Sequence, residues 1–184
     1  MNQPLLRRIL LLSSVAAACF TTGLSAQAPK LNIPAPSPTA TLKQRVGLTD
    51  VEITYSRPGM KGRKVFGPAE AKTLEPFGET WRAGANEATR VVFSTPVKIG
   101  GKEIPAGTYG LFALLGKDEW TVILNKISQQ WGAYAYDMKD DVVRVKAKVT
   151  AITPAVETFT IDVNDIRDDS ATIALAWENT RVAV

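Results

Sequence analysis

After Leu42 the chain is written in short stretches where apolar and polar residues alternate, the period of two that turns every second side chain toward one face of a strand. Val51-Glu52-Ile53-Thr54-Tyr55 shows the pattern most plainly. Arg90–Ser94, Val97–Ile99, Lys102–Ile104, Thr108–Leu115 and Trp120–Asn125 follow, then Val142–Ile152, Glu157–Val163 and Ala171–Glu178, the last with an extension toward Val184. Between them stand turn signals, among them Gly100-Gly101, Pro105-Ala106-Gly107 and Gly116-Lys117-Asp118, the first suited to a two-residue hairpin turn. Only Pro68–Leu74 and Ser128–Ala133 allow short helices. Many short strands with few helices predict a mainly β, single-domain antiparallel β-sandwich of jelly-roll or immunoglobulin-like type, with a closed barrel as the alternative.

Residues 1–26 have a different character. Arg7 and Arg8 precede an apolar run from Ile9 to Ala18, and small residues lead to Leu24-Ser25-Ala26. That order is a secretory signal peptide, too short in its apolar part for the roughly 20 residues that cross a bilayer. Cleavage is expected after Ala26; a cut after Ala28 also meets the small-residue rule but leaves Pro29 on the product side. Val15-Ala16-Ala17-Ala18-Cys19 is a competing, imperfect lipoprotein box that would anchor the chain at Cys19. Residues 27–42 contain repeated prolines and form an expected linker, so the folded domain is expected over 43–184 in a periplasmic or extracellular protein with no membrane span after signal removal.

Cleavage would remove the only cysteine, and the chain has no histidine. The exported chain then has no disulfide, thiol nucleophile, Cys/His metal site or imidazole acid/base, and no cofactor motif is present. Loss of Arg7 and Arg8 takes the formal charge from +4 to +2, too little to imply a nucleic-acid partner, and no basic stripe suggests one, so none is expected. The acidic run Asp162, Asn164, Asp165, Asp168 and Asp169 lacks calcium-loop spacing and is expected to form a turn between strands.

Two polar blocks interrupt the alternation. Arg57-Pro58-Gly59-Met60-Lys61-Gly62-Arg63-Lys64 gathers four cations around glycines, and Trp81-Arg82-Ala83-Gly84-Ala85-Asn86-Glu87 sets cation, amide and carboxylate beside another. Arg57, Lys61, Arg63, Arg82, Asn86 and Glu87 are the candidate ligand-binding residues, suited to a carbohydrate or small anion. The alternative is a scaffold in which Arg57 pairs with Glu87 to hold a turn. No second carboxylate is singled out for a hydrolase. Trp131, Tyr134 and Tyr136 offer rings, with both tyrosines on one face of an extended segment, whereas Trp81, Trp120 and Trp177 are expected in the core.

Tyr55-Ser56-Arg57-Pro58, Lys61-Gly62-Arg63, Phe66-Gly67 and the run Phe77–Thr89 closely resemble a bacterial secreted family known as domain of unknown function 2911. The resemblance continues through Ile104–Phe112 and Trp120–Lys126. It implies an exported, mostly β domain and brings no residue roles. The partner classes left open are a small molecule, a glycan or an envelope protein, with an interaction module and an Asp/Glu hydrolase as alternatives to ligand binding.

Overall fold

The computed structural model describes residues 33–184; the expected signal peptide, Cys19 and the first part of the proline-rich stretch lie outside the described residues. Pro34–Val184 form one compact unit. Its strands are β1 (Thr39–Val46), β2 (Thr49–Ser56), β3 (Phe66–Gly67), β4 (Glu75–Pro76), β5 (Thr80–Trp81), β6 (Thr89–Phe93), β7 (Val97–Ile99), β8 (Lys102–Ile104), β9 (Gly107–Leu114), β10 (Glu119–Asn125), β11 (Asp141–Lys148), β12 (Thr150–Asn164) and β13 (Thr172–Ala183).

One antiparallel sheet runs β1-β2-β6-β9-β10-β11, with β5 prolonging the β6 side of β9. It stays open from β1 to β11, so the barrel alternative gives way to a sandwich. The second layer is the long β12–β13 ribbon. Val51 and Ile53 from β2, Val91 from β6, Leu111 from β9 and Val122 from β10 share one core with Phe159 and Ile161 of β12 and Leu175 and Trp177 of β13. The alternation follows directly from this packing, because one face of each sheet strand meets the ribbon and the other does not.

At the centre Phe66, Trp81, Trp120, Phe159 and Trp177 pack together. Trp81 lies near parallel to Trp177 with centroids 6.0 Å apart, and Phe159 meets Trp81 edge-on at 4.8 Å. The three tryptophans are each at most 2 % exposed, as their strand positions predict. Contacts of this kind add to the large area that aromatic side chains bury.

Strands β9 and β10 are buried on both faces. Their outer residues Phe112 and Ile123 are covered by Ala133 and Tyr136 of the 126–140 segment, which explains why Leu111–Leu115 and Val122–Leu124 read as continuous apolar runs. That segment contains turns and a single 3-10 turn at Met138–Asp140, in place of the helix expected over Ser128–Ala133. Fully buried Asn125 holds it: the side-chain amide donates to the Asp137 carbonyl and the Asp141 carboxylate, and its oxygen accepts from Ile127 N. The Pro68–Leu74 helix reduces to one 3-10 turn at Ala69–Ala71.

Three further differences have local causes. β1 begins at Thr39, inside the stretch read as linker, and Gln44, on the strand's partly buried face beyond that stretch, interrupts the alternation. The expected strand Val142–Ile152 is two strands broken at Val149, whose N–H donates to Asp118 O. Phe66–Gly67 pairs in parallel with Glu75–Pro76, a contact too short to leave a period. The β7–β8 hairpin turns at Gly100-Gly101, both with positive φ, as the sequence predicts.

Candidate functional site

The loop between β5 and β6 is locked by its own hydrogen bonds. Trp81 Nε1 donates to Gly84 O, Thr89 N to Arg82 O and the Thr89 hydroxyl to Ala83 O. Gly84 has φ +153°, and a Cβ there would lie 2.8 Å from Ser56 O, so only glycine lets the loop pass so close to the end of β2. Asn86 adopts φ +60°, and its side-chain amide reaches Ser56 Oγ at 3.3 Å and Ser37 O at 3.5 Å.

Backbone bonds from Ala88 N to Gln130 O and from Gly132 N to Asn86 O, both 2.9 Å, tie this loop to the 126–140 segment. They set Trp131 beside Glu87. A groove of about 440 Å³ results on the outer face of the main sheet. Thr39, Thr54 and Arg90, the outward members of β1, β2 and β6, line it; Ala35-Pro36 and Trp131 also border it, and Glu87 contributes a carboxylate. Trp131 is 63 % exposed. Neither Glu87 nor Arg90 takes part in an ion pair among the described residues. The groove therefore presents free donors, a free acceptor, hydroxyls and an aromatic face together.

The six sequence candidates separate. Asn86 and Glu87 line the groove. Arg57 does not pair with Glu87: its guanidinium donates to Phe159 O at 3.0 Å and Thr160 Oγ1 at 2.8 Å, joining β2 to the ribbon. Arg63 turns back on its own loop and donates to Met60 O and Gly59 O. Lys61 has φ +50°, donates its backbone N–H to Glu157 Oε1 and its ammonium to Pro36 O at 3.4 Å. Arg82 lies away from the groove lining; its Nε is buried without a hydrogen-bond partner among the described residues. Beside it, burial pushes the Glu75 carboxyl up to about 7, against the opposing pull of the Arg82 charge.

The tyrosines do not share a face, since 132–135 is a turn. Tyr134 is 88 % exposed, whereas Tyr136 packs on Phe112 and donates to Asp141 Oδ2 at 2.8 Å. Burial and the adjacent Asp141 push the Tyr136 hydroxyl up to about 12, so it remains a donor. Asp162 and Asn164 end β12, Asp165, Asp168 and Asp169 lie in the β12–β13 connection, and among the described residues no group of three or more acidic side chains is gathered to hold a metal. Among these residues no helix is long and apolar enough to cross a membrane.

Arg90 and Glu75 were not among the sequence candidates. The signal for Arg90 was its outward position on β6, three residues after Glu87. Glu75 stood between Leu74 and Pro76-Phe77, a carboxylate in apolar company. No curated protein and no solved structure matches the chain at a significant level. A family model described as "Protein of unknown function (DUF2911)" matches residues 37–184, which takes in β1 through β13 together with the groove loops, and the chain belongs to that family.

Proposed function

We propose that this protein is an exported binding module of the cell envelope that holds a carbohydrate in the groove between Pro36 and Trp131. The observation that carries the reading is Trp131, 63 % exposed, beside a carboxylate and a guanidinium that have no ion-pair partners among the described residues. A sugar ring has apolar C–H faces that stack on an indole and hydroxyls that both donate and accept, so it uses Trp131, Glu87, Arg90, Asn86 and Thr54 at once. A small anion would meet Glu87 as well as the one arginine, and Arg57 and Arg63 already have internal partners. Glu87 is the one carboxylate in the groove lining, while glycoside hydrolysis uses two, which favours binding over cleavage.

A glycan array probed with the wild type and Trp131→Ala tests this. Selective binding that falls at least about tenfold in the variant, with its melting temperature retained, is the expected result. An array on which the wild type binds nothing contradicts it. A second reading, docking of an envelope protein, is favoured by the exposed Ile127, Trp131, Tyr134 and Met138 on one segment. Export itself is tested by intact mass: a mature chain beginning at Gln27 is expected, and an acylated Cys19 would replace the free form with an anchored one.

A further inference from the structure

Glu87 and Arg90 are the charged residues lining the Trp131 groove, one of each sign, and neither takes part in an ion pair among the described residues. The rest of that sheet face treats its charges differently. On the outward side of β1 and β2, Lys43 lies opposite Glu52 and pairs with it at 2.9 Å, and Arg45 lies opposite Asp50 and pairs with it at 3.1 Å. Arg90 stands in the next row toward the groove, between Thr54 and Gly110, with Thr41 beyond Thr54. The register therefore gives Arg90 no acid as a cross-strand partner. A Cβ at Gly110 would lie 2.7 Å from Ile127 O, so the segment that carries Trp131 passes directly beside this row. Glu87 is exposed and its backbone is bridged to Trp131. The sheet ladder fixes one charge and the bridge fixes the other, so both border a single groove without meeting.

We infer that the saccharide held in this groove is zwitterionic, with a carboxylate bound by Arg90, an ammonium bound by Glu87 and a ring stacked on Trp131. The inference rests on the carbohydrate reading and narrows it to a substrate class. A neutral sugar laid over Glu87 and Arg90 removes water from both charges and returns only neutral hydrogen bonds. An acidic sugar satisfies Arg90 but sets its charge near Glu87, and a basic sugar has the converse fault, because like charges brought together across an interface repel. A ligand with both charges compensates each side chain and leaves the site neutral.

The test uses four sugars built on one ring: N-acetylglucosamine with no charge, glucosamine with the amine, N-acetylmuramic acid with the carboxylate, and muramic acid with both. Their affinities for the full protein are measured by NMR titration at about pH 6, where the amine is protonated and the carboxylate ionised. Muramic acid is expected to bind at least about tenfold tighter than N-acetylglucosamine, each exposed charge contact supplying about threefold, and the advantage should shrink at high salt. Glu87→Gln should erase the gain from the amine and keep that from the carboxylate; Arg90→Gln should do the reverse. The comparison among the four sugars on the wild type decides the matter even if a variant does not fold. Muramic acid binding no tighter than N-acetylglucosamine overturns the inference, as does a gain from the two charges that survives in both folded variants. In either case the carbohydrate reading stands if a neutral sugar still binds in a Trp131-dependent way. If no sugar binds at all, both fall.

Discussion

The Arg57 guanidinium is spent inside the fold, on Phe159 O and Thr160 Oγ1, whereas the Glu87 carboxylate faces the groove. Arg57 satisfies the carbonyl of Phe159, a residue wholly buried between the layers, so Arg57→Ala leaves that acceptor without its donor. A loss of about 1.5–3 kcal/mol by urea denaturation is expected. Glu87 is exposed and unpaired among the described residues, and Glu87→Ala is expected to change stability by less than about 0.5 kcal/mol while weakening sugar binding. Equal losses for the two would contradict the division. Glu75 gives a pH test. Its folded pKa, about 7, is raised from 4.5, so between these values the native state holds a proton that the unfolded state has released. Its contribution to stability is therefore full below pH 4.5 and is lost as pH rises through 7, by at most about 3 kcal/mol. Glu75→Gln should flatten that part of the stability profile, and an unchanged slope would show that the carboxyl is not buried as described.

At the scale of elements the 126–140 segment matters most, because it covers β9–β10 and also presents Trp131. Its hold is the Asn125 side chain, extended by Asp141, which accepts from Tyr136 and pairs with Arg144 at 2.6 Å. Asn125→Ala leaves the Ile127 N–H and Asp137 O without that partner, and is expected to cost about 2–3 kcal/mol. Amide hydrogen exchange should accelerate across residues 126–136 more than in β12–β13; uniform acceleration would mean that the asparagine supports the whole fold instead. This segment is also the part of the fold least legible in the sequence. Strands with one buried face announced themselves by alternation, as in Val51–Tyr55. The covering segment has no period, and its placement depends on Asn125 and on two backbone bonds to Asn86 and Ala88 that join residues distant in the chain.

For the molecule as a whole, the β-sandwich was legible because its two-layer core imposes period two on most strands, and the buried tryptophans were legible because they fall on those strands. The candidate site was half legible. Asn86 and Glu87 stood out by their place after Gly84, but Arg57 and Arg63 resembled them in composition and only tertiary contacts separate the groups. Arg90 was hidden as an ordinary outward strand position. The groove exists only when β1, β2, β6, the proline-rich entry and the 126–140 segment come together. That assembly supplies a built-in reporter, since Trp81, Trp120 and Trp177 are buried and Trp131 alone among the tryptophans is exposed. Acrylamide quenching of tryptophan fluorescence during titration with chitohexaose, cellohexaose and maltohexaose tests the sugar-binding claim most directly. At least one of these sugars is expected to shield the accessible tryptophan saturably, and the shielding to disappear in Trp131→Ala; quenching unchanged by all three, or shielding that persists in the variant, would contradict sugar binding at Trp131.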